Sequence, residues 1–308
     1  MITTPFTFPS FAKINWILRI LGKRPDGYHE VVTVLQTISL KDELTIQLSE
    51  KGPIKLTCDD PAIPTDMHDN LVLKAVEFLM DGFQDYFGAE IELKKRIPAM
   101  GGLGGGSSNA AITLKAINKL WKGAYIDVEE FAPEDLGADV PFFLMGGRCA
   151  ATGIGEVLRP LEDVPKQYLI VVTPNARVST AKAYAALNAP SLTTFDDVSI
   201  LSSSLADLNS ADSRQWPLRN DFERVIFEIE PEIERVKNAL LDAGAWGALL
   251  AGSGSSVFGV FDSDAARDRG LENLRCEAGW RVFPCETISR DEYVRAMNSS
   301  GIPLFTLS

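Results

Sequence analysis

Cysteine and histidine are scarce in this 308-residue sequence, which has four of the former and two of the latter. No two cysteines form a Cys-x-x-Cys pair, so neither a disulfide framework nor a cysteine zinc site is expected. This usage fits a reducing compartment. The cysteines are Cys58, Cys149, Cys276 and Cys285.

Long apolar runs and an excess of positive charge are also missing. No apolar run approaches the ~20 residues needed to span a bilayer, and residues 1–15 lack the basic and apolar segments of a secretory signal. The formal net charge of −12 argues against a general nucleic-acid-binding protein and against an anionic membrane surface. We therefore expect a cytoplasmic protein that binds neither nucleic acid nor a membrane. As separate expectations, the protein is a monomer or weak homodimer and its partner is a small molecule.

The most informative segment is glycine-rich and spans residues 98–111, PAMGGLGGGSSNAA. Backbone N–H groups in such a segment can approach an anion closely, and a helix that begins behind it adds its positive end. Because the segment lies between a predicted strand and a predicted amphipathic helix, we favour a phosphate-binding loop over a flexible linker. The residues assigned to this loop are Pro98, Gly101, Gly102, Leu103, Gly104, Gly105, Gly106, Ser107, Ser108 and Asn109.

Two common nucleotide-binding motifs do not account for this segment. A dinucleotide-binding loop would carry an acidic ribose ligand farther along the chain, and none lies at the required distance. A Walker A loop would end in Gly-Lys-Ser or Gly-Lys-Thr, which is missing here. The loop therefore indicates phosphate binding of another kind.

Hydrophobic periodicity predicts strands and helices without regular βαβ alternation. Residues 12–21 alternate apolar and polar positions, which predicts a half-buried strand. Residues 31–38 and 44–48 predict two more strands, separated by the polar residues 41–43. This mixture favours an α+β fold over a doubly wound sheet. Further strands are predicted at residues 89–95, 148–152, 156–161 and 168–173, helices at 71–83 and 180–187, and a surface excursion at 191–214.

Phosphoryl transfer also needs a group that orients the acceptor's proton and cations that offset charge. Lys13 shares the polar face of the first predicted strand with Asn15, although such a lysine is most often a solvated surface residue. Asp139 lies in an otherwise apolar segment, where its carboxylate needs a partner such as a lysine. Its alternative role is to cap the following helix, and the sequence leaves both roles open.

Two shorter motifs each have two interpretations. Residues 251–256, AGSGSS, form either a simple hairpin turn or a loop whose backbone approaches a ligand or the first glycine loop closely. Tyr28 and His29 follow a predicted turn at residues 23–27. A structural histidine is the default interpretation, but a Tyr beside a His can also stack on and hydrogen-bond a planar base.

Together these motifs resemble the GHMP kinases, the family of galacto-, homoserine, mevalonate and phosphomevalonate kinases. The resemblance rests on Ala12-Lys13-Ile14-Asn15, on Pro-x-x-x-Gly-Leu-Gly-x-x-Ser-Ser at residues 98–108, and on Gly252-Ser253-Gly254. RPDGYHE at residues 24–30, LGADVPFFL at 136–144 and NDFE at 220–223 are similar to one branch of the family, although Phe222 stands where that branch usually has Leu.

The resemblance implies a fold and an activity. The fold would be α+β with two lobes, a ribosomal-protein-S5-like lobe at residues 1–158 and a ferredoxin-like lobe at 159–308, with catalysis in the cleft between them. The activity would be ATP-dependent phosphorylation of the erythritol 2-hydroxyl of a cytidine-diphosphate substrate in isoprenoid biosynthesis. Mg²⁺ would arrive with ATP, and no protein metal site is expected. The alternatives are a mevalonate or homoserine type of GHMP kinase, or a catalytically inactive nucleotide-binding relative.

The resemblance also assigns roles to residues. Lys13 and Asp139 match the catalytic pair, and Asn70 falls near the adenosine site. The positions matched to the substrate are Asn15, Tyr28, His29, Thr180, Tyr184, Gly252, Ser253 and Gly254. Among these, Tyr28 and His29 match the cytosine-binding pair, and Tyr184 falls near the aromatic that stacks on the other face of the base.

Overall fold

The computed structural model describes residues 4–66, 69–82, 87–121, 132–190, 214 and 216–305. Strands and helices are mixed without regular alternation, which confirms the α+β prediction. The strands are β1 (Phe6–Lys23), β2 (His29–Ser49), β3 (Ile54–Cys58), β4 (Gly88–Lys94), β5 (Arg148–Thr152), β6 (Val157–Pro160), β7 (Tyr168–Thr173), β8 (Arg219–Asn220), β9 (Gly247–Leu250), β10 (Val257–Phe261) and β11 (Arg281–Glu286). The helices are α1 (Leu71–Gly82), α2 (Gly105–Leu120), α3 (Val140–Met145), α4 (Thr180–Leu187), α5 (Glu223–Ile229), α6 (Pro231–Asp242), α7 (Asp264–Asn273) and α8 (Arg290–Met297), with a 3₁₀ turn at Pro133–Asp135.

The strands form a seven-stranded and a four-stranded sheet. The larger sheet, called the first sheet below, has the order β3-β4-β2-β1-β8. In the same sheet β5 pairs with β2, and β6 pairs with β5. The smaller sheet has the order β11-β7-β10-β9, with every neighbouring pair antiparallel. β8 lies parallel to β1, where Ile17 pairs with Arg219. A segment from late in the chain therefore completes the first sheet.

Three apolar clusters hold these layers together. The first lies between the larger sheet and helices α1, α2 and α3. The second joins the two sheets, since Trp16 of β1 packs edge-on against Trp216 and Phe258. The third lies between the smaller sheet and helices α5 and α6. β1 is thus enclosed from both sides, and its polar residues are held in a fixed interior position.

Two sequence predictions about the first strands are wrong. β1 was expected to be half-buried, yet Lys13 and Asn15 are 4 % and 3 % exposed because protein covers both faces of the strand. The predicted separation at residues 41–43 does not occur, and β2 runs unbroken through them. Asp42 is fully buried there and accepts hydrogen bonds from the N–H groups of Arg96 and Ile97.

Other predicted elements are confirmed with small shifts in their ends. The strands at residues 148–152 and 168–173 and the helix at 180–187 match the structure. Asn70 caps α1, because its side-chain oxygen accepts the N–H of Val72 at 2.9 Å. Among the helices in the described ranges, none has the length and apolar character needed to cross a bilayer. The predicted excursion at residues 191–214 lies almost wholly outside the described residues, and the division at residues 158 and 159 stays a prediction.

Candidate active site

A cavity of about 1120 Å³ brings most of the predicted site residues together. Its walls come from the first sheet, from the glycine loop, from helix α4 and from the loop between β9 and β10. Two predicted residues, Ser108 and Gly254, are not among its lining residues. The predicted residues that line it are Lys13, Asn15, Tyr28, His29, Asn70, Pro98, Gly101, Gly102, Leu103, Gly104, Gly105, Gly106, Ser107, Asn109, Asp139, Thr180, Tyr184, Gly252 and Ser253.

Neighbouring backbone fixes the carbonyl groups of the glycine loop. The carbonyl oxygens of Met100 and Gly101 accept the N–H groups of Ser255 and Ser256, and that of Leu103 accepts the N–H of Lys13. The first N–H groups of a helix have no partner within it, and those of residues 105–107 belong to this class at the start of α2. All three residues line the cavity. The loop therefore offers the cavity N–H groups and the positive end of a helix, which suit a phosphate.

Ser108, unlike Ser107, does not line the cavity. It is fully buried, and its hydroxyl accepts a hydrogen bond from Ser10 of β1 at 2.7 Å. Its N–H donates to the carbonyl oxygen of Gly104 as the first bond of the helix. Ser108 therefore anchors α2 on the sheet, a role that its position next to Ser107 in sequence did not reveal.

The two glycine loops touch through their backbones. A Cβ on Gly102 would lie 2.9 Å from the carbonyl carbon of Ala251 and would overlap its oxygen. A Cβ on Gly252 would lie 2.8 Å from the carbonyl oxygen of Gly102 and 3.2 Å from Nζ of Lys13. The residues 251–256 thus form both the turn between β9 and β10 and a support for the first loop. Both features that the sequence suggested for this segment are therefore present: it is a hairpin turn, and its backbone approaches the first glycine loop closely.

Lys13 and Asp139 lie close together in the lining of the cavity. Nζ of Lys13 lies 3.5 Å from Oδ2 of Asp139 and donates a 3.0 Å hydrogen bond to Oδ1 of Asn15. Asn15 is held in turn by Thr33, whose hydroxyl oxygen accepts from its side-chain amide. The Lys13 side chain is 5 % exposed, whereas that of Asp139 is 34 % exposed and open to the cavity. The pair therefore presents a buried cation and a reachable carboxylate to the same space.

Asp139 occupies the position before α3, but its side chain makes no capping hydrogen bond with that helix. Its carboxylate points towards Lys13 instead. The structure therefore favours the ion pair over the capping role that the sequence left equally open.

Aromatic residues form the other end of the cavity. The rings of His29 and Tyr184 stack with their centroids 4.6 Å apart, and Tyr184 meets Phe222 edge-on at 4.9 Å. Burial, followed by the charge of Lys23, lowers the pKa of His29 below its usual 6.5. Burial, with a smaller contribution from Asp139, raises the pKa of Tyr184 to about 12. Both side chains are therefore neutral near pH 7, and the imidazole keeps one donor and one acceptor nitrogen.

The stack restricts where a planar base can bind. A centroid spacing of 4.6 Å leaves no room for a base between His29 and Tyr184. Tyr28 is 61 % exposed, so its ring is available to a ligand at the cavity mouth. Tyr28, His29 and Tyr184 all line the same end of the cavity, and one face of the Tyr184 ring is covered by His29.

Lys95 is a cation at the cavity that the sequence analysis missed. Its side chain is 6 % exposed and forms an ion pair with the buried Asp42. A Cβ on Gly105 would lie 3.2 Å from its Nζ, which places this charge beside the first residue of α2. The signal in the sequence was the run Lys94-Lys95-Arg96 directly before the glycine loop. A second lysine thus lies at the glycine-loop end of the cavity, with its charge paired to that of Asp42.

The sequence also matches known proteins over nearly its whole length. Residues 70–147 match the GHMP kinases N terminal domain, and residues 198–279 match the GHMP kinases C terminal domain. A 4-diphosphocytidyl-2-C-methyl-D-erythritol kinase from Citrifermentans bemidjiense is 39% identical over 279 residues, which cover 90% of this chain and 97% of that protein. The chain belongs to this kinase family.

Two further members are similar to the chain. The 4-diphosphocytidyl-2-C-methyl-D-erythritol kinase from Solibacter usitatus is 40% identical over 92% of this chain and 89% of its own length. A crystal structure of 4-(cytidine 5'-diphospho)-2C-methyl-D-erythritol kinase superposes with a TM-score of 0.71 at 33% identity, covering 91% of this chain and 98% of that one. The fold is therefore that of a GHMP kinase, and the protein is an ATP-dependent phosphotransferase.

Proposed function

We propose that the protein transfers the γ-phosphoryl group of ATP to the 2-hydroxyl of 4-diphosphocytidyl-2-C-methyl-D-erythritol. The observation that carries this proposal is the single cavity that joins a phosphate-binding loop, the Lys13–Asp139 pair and an aromatic end. Such a space can hold ATP at the glycine loop and a cytosine at Tyr28 and His29, with the acceptor alcohol between them. The relatives of this chain are named for this substrate.

The proposed mechanism is a direct, in-line transfer. The N–H groups of residues 105–107 and the positive end of α2 hold the β- and γ-phosphates. Asp139 orients the acceptor hydroxyl and accepts its proton, while Lys13 holds the carboxylate and offsets negative charge beside it. Because the transition state of phosphoryl transfer is loose, positioning by Asp139 matters more than early removal of the proton.

Mg²⁺ would enter as part of the nucleotide complex. In the described residues, no three Asp, Glu, His or Cys side chains form a group able to hold a metal ion. Magnesium keeps several waters and binds through substrate phosphates, with one or two protein carboxylates at most. Asp139 is a partly exposed carboxylate in the lining of the cavity, and a bound magnesium would neutralise phosphate charge there.

A panel of alcohols tests the proposal directly. The purified protein is incubated with ATP, Mg²⁺ and either 4-diphosphocytidyl-2-C-methyl-D-erythritol, mevalonate or homoserine, and phosphorylated products are measured by mass spectrometry. The cytidyl alcohol should be phosphorylated and the other two left unchanged. Phosphorylation of mevalonate or homoserine instead would support the first alternative, and no product from any of them would support an inactive relative.

The aromatic end is tested by Tyr28→Ala. Stacking on a base contributes about 1–3 kcal/mol, so the KM for the cytidyl alcohol should rise by about 5- to 150-fold, with little change in kcat. Tyr28→Phe keeps the ring and should keep the wild-type KM. An unchanged KM in the alanine variant would remove Tyr28 from the base-binding site.

A further inference from the structure

The segment Asn220-Asp221-Phe222-Glu223 has no role in the mechanism above, yet it reaches both ends of the cavity. Asn220 is the last residue of β8 and is 5 % exposed. Its side-chain amide donates two hydrogen bonds, to the carbonyl oxygen of Leu250 at 2.8 Å and to that of Gly252 at 2.7 Å. Its side-chain oxygen accepts the N–H of Phe222 at 2.9 Å. Two hydrogen bonds therefore hold this buried amide against the end of β9 and the second glycine loop, and the third fixes its orientation within its own segment.

The neighbouring side chains keep this segment in place. Asp221 accepts the N–H of Ile20 in β1, and Glu223 accepts the N–H of Leu250 while pairing with Lys237. Phe222 packs edge-on against Tyr184 at the aromatic end. The segment is thus fixed to the first sheet on one side and to the second glycine loop on the other.

Gly252, which Asn220 holds, is the point where the second loop meets the reacting end of the cavity. Gly252 approaches the carbonyl oxygen of Gly102 and Nζ of Lys13 so closely that a Cβ would contact both. A movement of Gly252 would therefore move the first glycine loop, Lys13, or both. Displacements of about 1 Å are enough to lower a rate by about 100-fold when reacting groups must be aligned.

We propose that Asn220 is a positioning residue for phosphoryl transfer, acting through the carbonyl of Gly252. It fixes the distance between the second loop and the Lys13–Asp139 pair, and it is not itself among the residues that line the cavity. This proposal rests on the proposed kinase function, because a transfer reaction is needed to observe the effect.

The test is Asn220→Asp, which keeps the shape of the side chain and replaces the donating amide by an acceptor. Both hydrogen bonds to carbonyl groups are lost, and two carbonyl oxygens then face a carboxylate oxygen. The kcat at saturating ATP and alcohol should fall by about 10- to 100-fold, while the KM for the cytidyl alcohol should stay within about twofold.

A matched control separates positioning from a general loss of stability. Asn298 likewise donates its side-chain amide to a backbone carbonyl, that of Phe305, near the end of the described chain and away from the lining of the cavity. Asn298→Asp should lower the melting temperature but keep the wild-type kcat at a temperature well below melting. An Asn220→Asp variant with wild-type kcat, or a control with an equal loss of kcat, would overturn the proposal.

Two further variants keep the test decisive. If Asn220→Asp does not fold, Asn220→Ser takes its place, because the serine hydroxyl can donate one hydrogen bond. A loss of kcat of about 3- to 30-fold in this variant supports the proposal, and a wild-type kcat overturns it. Gly252→Ala should not add its full effect to that of the Asn220 variant, because both displace the same carbonyl. Full additivity would show that Asn220 does not act through Gly252. Absence of product from the wild-type protein would instead count against the kinase proposal itself.

Discussion

Asp139 shows how far a single residue's role follows from its sequence position. The sequence placed it before a helix with a proline, where a capping aspartate is common, and it is indeed the residue that precedes α3. Its partner, Lys13, lies more than a hundred residues away in the chain, so the ion pair depends on how β1 and α3 pack. Local sequence gave the position, and tertiary packing decided the role.

Asp139→Asn removes the charge and keeps the shape. Because the amide cannot accept the proton of the acceptor hydroxyl, turnover should fall by roughly 10²–10⁴-fold, with a modest change in the KM for either substrate. Steady-state kinetics measure both parameters. Asp135→Asn, at an exposed position of the nearby 3₁₀ turn, should leave turnover unchanged. Near-normal turnover in Asp139→Asn would exclude it as the catalytic carboxylate.

His29 should titrate below its usual pKa of 6.5, because burial and the charge of Lys23 disfavour its protonated form. The unfolded chain then takes up the proton at a higher pH than the folded protein does. The stability linked to neutral His29 is therefore complete above pH 6.5 and is lost as the pH falls through the lowered pKa.

The chain has only two histidines, so NMR can follow this titration directly. The imidazole signal that disappears in His29→Gln should have its midpoint below pH 6.5. The melting temperature of this variant should depend less on pH than that of the wild type as the pH falls below 6.5. A midpoint at or above 6.5 would contradict the prediction.

At the scale of elements, the sequence predicted most strands and helices because hydrophobic periodicity and glycine or proline positions are local signals. The polar residues at 41–43 led to one wrong prediction, a separation between two strands. Asp42 lies inside the unbroken strand β2 because Lys95 and the N–H groups of Arg96 and Ile97 satisfy its carboxylate. Those partners come from a loop 53 or more residues later in the chain, so the sequence around Asp42 does not predict them.

The contact between the two glycine loops predicts a severe effect of Gly102→Ala. Gly102 has φ +74°, which disfavours any side chain, and its Cβ would overlap the carbonyl of Ala251. The free energy of unfolding should fall by about 2 kcal/mol or more, and the KM for ATP should rise.

Gly106→Ala is the matched control in the same glycine run. Its Cβ would lie 3.5 Å from Leu71, an ordinary contact, and its backbone is helical. Its free energy of unfolding should stay the same or rise by up to about 1 kcal/mol. Urea unfolding measures the stability of both variants, and steady-state kinetics measure the KM for ATP of Gly102→Ala. A wild-type KM in Gly102→Ala would show that the two loops do not support each other.

At the scale of the whole molecule, helix α8 packs into the first apolar cluster, between the first sheet and helices α1, α2 and α3. Tyr293 of α8 is fully buried, and its hydroxyl donates a 2.6 Å hydrogen bond to the carbonyl oxygen of Phe143 in α3. Tyr293→Phe leaves that carbonyl unpaired, and the free energy of unfolding should fall by about 1–3 kcal/mol in urea titrations. Tyr28→Phe, at an exposed ring, should cost nothing measurable; equal stability of the two variants would contradict the role of the buried hydrogen bond.

The placement of α8 also means that the first apolar cluster cannot be completed until α8 has been synthesised. Tyr293 leaves the ribosome 150 residues after Phe143, which at about 5–20 residues per second takes about 8–30 s. Throughout that interval the nascent amino-terminal half lacks Tyr293 and Met297 of its apolar cluster, and the surface that these two side chains cover stays exposed to chaperones and to neighbouring chains. Synthesis of α8 therefore shortens this exposure, because Tyr293 and Met297 then become available to cover that surface.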